Sequence, residues 1–246
     1  MKIVLLGTTG YHPNDLRETA CLMLPDLGIV LDAGTAFYRV REYLRTDQLD
    51  IFLTHAHLDH VVGLTYLFDV LHERKMRRVT IHGAAEKLAA LDEHLFSPAL
   101  FPVKLPYEFR PLTDPVAFSD GGRLTYFPLA HPGGSLGFRL DWPDRSFAYV
   151  TDTTAAADAP YIEHIRGVDL LVHECNFKDS HPDLAKLTGH SCTTPVARVA
   201  KKAGVGRLVL THFNSLDLSS DPVDLSVARE IFPATEIGTD RMEVEF

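Results

Sequence analysis

Long apolar runs are missing from this chain. No stretch of about 18 apolar residues occurs, which excludes a transmembrane helix of the usual kind. The opening Met1-Lys2-Ile3-Val4-Leu5-Leu6-Gly7 is apolar too briefly for a signal peptide and runs at once into the turn Gly7-Thr8-Thr9-Gly10. It is expected to be the first strand of a cytoplasmic protein. Cysteine is scarce: Cys21, Cys175 and Cys192 show no CxxC spacing, so a disulfide framework is not expected and a reducing compartment fits. Positive charge is in deficit. A formal net charge of −9 argues against a surface that grips long RNA or DNA by counterion release, and no long-nucleic-acid surface is evident. Repeats and low-complexity segments are absent too, so residues 1–246 are expected to form one domain.

What is present is a chain that is 46% hydrophobic, enough for a sizeable core, and an unusual stock of 13 histidines. Short apolar and β-branched runs bounded by turn residues predict strands at 3–6, 28–31, 51–53, 79–82, 124–127, 136–140, 147–150, 170–172 and 208–210. Helical spacing of Leu64, Leu67, Phe68 and Leu71 predicts a helix over 61–73. Further helices are expected at 193–203, with Pro195 in a tolerated early position, and at 224–232. The segment 96–115 holds five prolines and reads as an irregular loop. Many short strands interleaved with helices imply an α/β chain of sheets packed face to face with helices outside.

One segment carries chemistry. Asp50-Ile51-Phe52-Leu53-Thr54 reads as a buried strand, and His55-Ala56-His57-Leu58-Asp59-His60 follows at its end, where a scaffold presents reactive groups. His55 and His57 are two apart, so an extended backbone projects both imidazoles to one side. Imidazole and carboxylate together suit Zn²⁺ and its neighbours. Four polar residues capping a helix is the plainer interpretation, and three histidines with an aspartate in six positions count against it. His131, Asp152 and His212 also end apolar strands, at Leu124–Ala130, Ser146–Val150 and Arg207–Leu210. Each alone could be a turn or cap residue. Their shared placement suggests convergence on one rim.

These motifs resemble the metallo-β-lactamase superfamily over nearly the whole chain. Within it, three segments are similar to the ribonuclease Z and phosphodiesterase branch: Leu129-Ala130-His131 with Ser135-Leu136-Gly137, His173-Glu174-Cys175-Asn176-Phe177, and Gly189-His190-Ser191 with Leu210-Thr211-His212-Phe213. The resemblance implies a four-layer αββα sandwich of two mixed sheets. It implies that His55, His57 and His131 hold one metal, that Asp59, His60 and His212 hold the other, and that Asp152 bridges them. It implies two divalent ions, Zn²⁺ in the first place with Mn²⁺ or Fe²⁺ as alternatives, and a homodimer.

Two such metals can bind a hydroxide between them and clamp a phosphodiester, so a small phosphodiester or short nucleic acid is the expected substrate. By resemblance Glu174 and His190 form a pair that assists leaving-group protonation, and Asp59 both binds metal and orients the nucleophile. Departures are informative. Ribonuclease Z proper inserts a tRNA-gripping arm between the third histidine and the bridging aspartate, but only 21 positions separate His131 from Asp152. A tRNA 3′ endoribonuclease therefore stands as an alternative, beside a lactonase or thioesterase of the same fold. A penicillin-degrading lactamase would have cysteine in place of Asp152, and a flavodiiron oxidoreductase glutamate in place of His57. A metal-stabilised binding module would close its coordination with four protein ligands. His72, His82, His94, His164 and His181 show no partner pattern, His12 could line the cleft, and Cys175 and Cys192 read as packed thiols.

Overall fold

Alternation along the strands decides the layers. In β1 (Lys2–Gly7), Ile3 and Leu5 face one way while Val4 and Leu6 face the other, and all four are fully buried. Both faces of the strand are therefore covered. The computed structural model describes all 246 residues and places the strands in two seven-stranded sheets. The first sheet holds β1, β2 (Cys21–Leu24), β3 (Ile29–Leu31), β4 (Gln48–Phe52), β5 (Arg78–Gly83) and β6 (Glu108–Pro111). The second holds β7 (Val116–Ala117), β8 (Arg123–Leu129), β9 (Ser135–Trp142), β10 (Arg145–Val150), β11 (Leu170–Glu174), β12 (Arg207–Thr211) and β13 (Thr235–Ile237). The last strand, β14 (Met242–Glu245), returns to the first sheet beside β1.

Ile3, Leu5, Leu31, Phe52, Phe138, Phe147, Tyr149 and Val172 belong to the core between the sheets. The opposite faces pack against helices. Val4, Leu6 and Val30 join Phe37, Val61, Leu64 and Leu88 outside the first sheet. Ala148, Val150 and Leu171 join Val196, Ala200 and Ala228 outside the second. The chain is the expected αββα sandwich of two mixed sheets. No helix is long and apolar enough to cross a membrane.

Each sheet is antiparallel on one side and parallel on the other. Pairings β14–β1–β2–β3 are antiparallel and β3–β4–β5–β6 parallel; β7–β8–β9–β10 are antiparallel and β10–β11–β12–β13 parallel. The halves thus repeat one topology although no sequence repeat is visible. Parallel strands share a direction, so the loops after β3, β4, β10, β11 and β12 leave from carboxyl ends, where a site can be assembled from several strands at once.

Three local expectations are corrected. The 61–73 helix is broken: a 3₁₀ turn over Val62–Tyr66 precedes a short α-helix, Leu67–Val70. Gly63 donates its N–H to Ala33 at 2.8 Å instead of to the preceding turn. A Cβ on Gly63 would lie 2.2 Å from the Gly34 carbonyl, so this contact needs glycine. The segment 96–115 is not wholly irregular, since β6 pairs with β5 inside it and leaves Pro111 on a sheet edge, where proline is tolerated. His82 does have a partner: its Nε2 lies 3.0 Å from Asp50 Oδ1, and its ring stacks on Phe52 at 4.4 Å between centroids.

Candidate metal centre

The predicted residues converge on one rim. His55 and His57 follow β4, His131 follows β8, Asp152 follows β10 and His212 follows β12. Asp59 and His60 lie in the single helical turn Leu58–Val61 that the cluster runs into. Two donor sets result. In the first, Asp152 Oδ2 is 3.5 Å from both His55 Nε2 and His131 Nε2, and His131 Nε2 is 3.3 Å from His57 Nδ1. In the second, His60 Nε2 and His212 Nε2 are 3.1 Å apart, each is 3.4 Å from Asp59 Oδ2, and each is 3.2 Å from Asp152 Oδ1. The two oxygens of Asp152 are thus divided between the sets.

These separations fit a cation. Tetrahedral bonds of about 2.0–2.1 Å place neighbouring ligand atoms about 3.3–3.4 Å apart. His55 Nε2 is buried and has no hydrogen-bond partner, so its lone pair faces the cluster unclaimed. The charge balance agrees. Asp32, Asp59 and Asp152 gather here almost wholly buried, and none meets a lysine or arginine. Buried carboxylates need compensation. Burial opposes a charge on His60, yet Asp152, Asp59 and Asp32 together push its protonation well above the usual range. A bound cation would meet the same demand. Desolvation lowers the basicity of His55 most, and of His131 and the more exposed His57 as well, which favours the neutral form that ligates metal. Burial also disfavours the Asp59 charge, but His60 and His212 hold its carboxyl far below the ordinary range.

The backbone is bent to present these groups. Asp32, Asp152 and His212 adopt φ values of 60°, 45° and 56°. Left-handed conformations cost non-glycine residues roughly 1–2 kcal/mol each, least for residues such as aspartate. Gly10 lies so near His212 that a Cβ there would be 2.3 Å from the imidazole Cε1.

Asp32 is a residue beside the donor sets to which sequence reasoning assigned no role. It is fully buried and accepts His60 Nδ1–H at 2.8 Å, Thr54 N–H at 2.8 Å, the Thr54 hydroxyl at 2.9 Å and the Tyr149 hydroxyl at 3.2 Å. Thr54 Oγ1 is in turn 3.0 Å from His55 Nδ1. Asp32 therefore orients one histidine in each donor set and keeps both Nε2 lone pairs turned inward. His131 Nδ1 is fixed in the same way by the Gly189 carbonyl at 3.0 Å. The signal for Asp32 was available, since it too follows an apolar strand.

Glu174 ends β11, fully buried. Its Oε1 accepts Thr153 N–H at 2.7 Å and His190 Nδ1–H at 3.0 Å, and its Oε2 accepts Ser191 N–H at 3.2 Å. The His190 ring lies 5.1 Å from that of His131 and 5.3 Å from that of His212. Burial lowers the basicity of His190, but the Glu174 charge and hydrogen bond, with Asp152 behind, outweigh it and bring it to about 9. His190 is close enough to Asp152 and His212 to share a donor set with them, though its Nδ1 is taken by Glu174. His12 is exposed, with Nδ1 on the Pro13 carbonyl, and points to no donor set. Its neighbour Tyr11 gives a backbone N–H to Asp59 Oδ2 at 2.8 Å. Cys175 and Cys192 are buried thiols, raised by burial.

Residues 28–213 match the family described as the beta-lactamase superfamily domain. The chain is 27% identical to ribonuclease BN of Erwinia tasmaniensis, an alignment covering 98% of each chain. That alignment runs over 305 residues, so the relative carries segments with no counterpart in these 246. The fold is shared with the metallo-beta-lactamase fold protein YhfI of Bacillus subtilis at a TM-score of 0.81, 20% identity and 99% coverage of both chains. It is shared with the short form of human tRNase Z at a TM-score of 0.79 and 22% identity, covering 100% of this chain and 99% of that one.

Proposed function

Since the chain belongs to the beta-lactamase superfamily domain family, a family of metal-dependent hydrolases, we propose that it is a two-metal phosphodiesterase. The observation that carries this reading is the pairing of a divided Asp152 carboxylate with a Glu174–His190 couple beside it. His55, His57 and His131 would hold one divalent ion, Asp59, His60 and His212 the other, and Asp152 both. Zn²⁺ suits the mixed imidazole and carboxylate donors, as Mn²⁺ or Fe²⁺ also would. Two such ions supply positive charge for the phosphoryl oxygens and a lowered pKa for water.

The chain's own residues do the rest. Asp59 Oδ2 belongs to the second set and also accepts the Tyr11 N–H, which fixes the carboxylate so that it can accept a hydrogen bond from the attacking water through its other oxygen and orient it. His190 commits Nδ1 to Glu174, which leaves Nε2 to hold a proton for the departing oxygen. Glu174 cannot rotate away, because Thr153 and Ser191 N–H groups hold both its oxygens. Leaving-group protonation matters for phosphodiesters and much less for strained lactones, which favours the phosphodiester reading over a lactonase or thioesterase.

A tRNA 3′ endoribonuclease is supported less well. The turn after β8, His131-Pro132-Gly133-Gly134, leads directly into β9, with no inserted arm between His131 and Asp152. The test is hydrolysis of bis(p-nitrophenyl) phosphate by Zn²⁺- or Mn²⁺-loaded protein, with Asp59→Ala as control. Metal-dependent turnover lost in the variant is expected. No phosphodiester turnover, with rapid cleavage of a lactone or thioester, would overturn the proposal.

A further inference from the structure

The acidic net charge hides a local reversal. Arg74-Lys75-Met76-Arg77-Arg78 places four cations in five positions, just before β5 begins at Arg78. Lys104 joins them from the segment leading into β6. Together they line a cavity of about 820 Å³, within the range of about 300–1,000 Å³ usual for small-ligand sites. Glu108 is the only acidic residue in its wall.

The pocket lies far from the metal centre. It adjoins the amino ends of β5 and β6, whereas the histidine cluster follows the carboxyl end of the parallel neighbour β4. A strand as long as β5 separates the two ends by roughly 17 Å at about 3.3 Å per residue.

Not every cation here is free. Arg74 donates to the Leu44 and Arg41 carbonyls at 2.9 and 2.8 Å, and Arg78 pairs with Asp50 at 2.6 Å, so both serve the fold. Arg77 reaches only Asp47, at 3.7 Å and in solvent. Lys75 and Lys104 are exposed and form no ion pair. Three cations therefore lack firm partners around a wall that also holds aromatic rings. Tyr107 is braced by Phe96 and Phe109 at 5.4 and 4.7 Å between centroids, and Phe68 stays half exposed. The same hollow thus offers charged and aromatic side chains side by side.

We propose that this pocket binds a small phosphorylated ligand bearing a planar ring, of the size of a nucleoside monophosphate. Lys75, Arg77 and Lys104 take the phosphate, and the ring packs against Tyr107 and Phe68. Stacking on aromatics and charge contact to phosphate are the two interactions such a ligand offers. A concave site on a chain of net charge −9 suits a small ligand better than a polynucleotide, which needs an extended basic track.

Hydrogen exchange read by mass spectrometry on the full metal-loaded chain tests this, with AMP, adenosine, inorganic phosphate and a short RNA as probes. AMP is expected to protect segments 74–79 and 104–108, with adenosine and inorganic phosphate at least tenfold weaker. Lys75→Glu with Lys104→Glu should weaken that protection tenfold or more while metal-dependent turnover is unchanged. The proposal fails if AMP protects only the segments around 54–60 and 190, or if pocket protection survives charge reversal. Inorganic phosphate as effective as AMP would remove the role of the ring, and protection by RNA alone would make the patch a polynucleotide contact. Because the readout is binding at a named segment, failure here leaves the phosphodiesterase assignment standing, and the reverse holds too.

Discussion

Replacing Asp32 by asparagine removes no volume and keeps a residue that tolerates φ of 60°. What changes is hydrogen-bond sign. Four donors point at the carboxylate: Thr54 N–H, Thr54 O–H, His60 Nδ1–H and Tyr149 O–H. An amide offers only one oxygen, and its NH₂ must face either Thr54 or His60. If it faces His60, the imidazole has to change tautomer and carry its hydrogen on Nε2, the atom turned toward Asp59, Asp152 and His212. If it faces Thr54, a buried backbone N–H is left unmet at a cost of about 1–3 kcal/mol. Losing an orienting partner of this kind typically weakens metal affinity about 10–100-fold, or roughly 1.4–2.7 kcal/mol. Since Thr54 passes the effect to His55, both donor sets should weaken. Competition with a chromophoric chelator measures this directly, with Tyr149→Phe as a control that removes the 3.2 Å contact and leaves the carboxylate in place. Unchanged affinity in a folded Asp32→Asn protein would refute the argument.

His190→Ala should slow phosphodiesters with poor leaving groups about 10²–10⁴-fold and activated nitrophenyl esters much less; equal losses on both would remove its role as proton donor. The pH dependence follows from Glu174. It raises His190, so the protonated form is present below about 9 and is lost as pH climbs through that value. In Glu174→Gln the alkaline fall in kcat for poor leaving groups should shift to lower pH, and a superimposable profile would contradict the pairing. Gly10→Ala should push the His212 ring aside, which lowers occupancy of the second donor set before the first, as metal titration would show. Phe138→Ala, in the layer between the sheets, should cost about 3–5 kcal/mol in urea unfolding; a loss below 1 kcal/mol would mean the layer closes over the gap.

The sequence made the candidate site more legible than the fold around it, for a physical reason. Four donor residues fall in one six-residue segment, and the remaining three each follow an apolar strand, so their shared placement suggested convergence while the family resemblance supplied the full ligand set. Asp32 obeys the same rule after Ile29–Leu31, but as a lone aspartate in a turn it carries no metal-like pattern. The strands missed have weak signatures. Met242–Glu245 alternates on a sheet edge with two exposed glutamates, and Glu108–Pro111 carries a proline that argues against a central strand. Cys21–Leu24 is buried on both faces, so it shows no alternation to read. The broken helix at 61–73 failed in the other direction. Its apolar period is only partly used: Leu64 and Leu67 are buried, whereas Phe68 is half exposed. A single N–H from Gly63 to Ala33 overrode the helical ladder, a tertiary demand no local pattern can reveal.

The composition of the two donor sets bears on how the chain holds together. Each combines residues from both halves of the molecule: His55 and His57 with His131, and Asp59 and His60 with His212. An ion held by either set would therefore rivet the first sheet to the second at the open edge of the sandwich. Opening either half would release its ion, so free metal would enter the folding equilibrium itself. At a hundred times the dissociation constant each site would add about 2.7 kcal/mol. Resistance to proteolysis, measured across a range of buffered zinc, would then follow metal supply as closely as catalysis does.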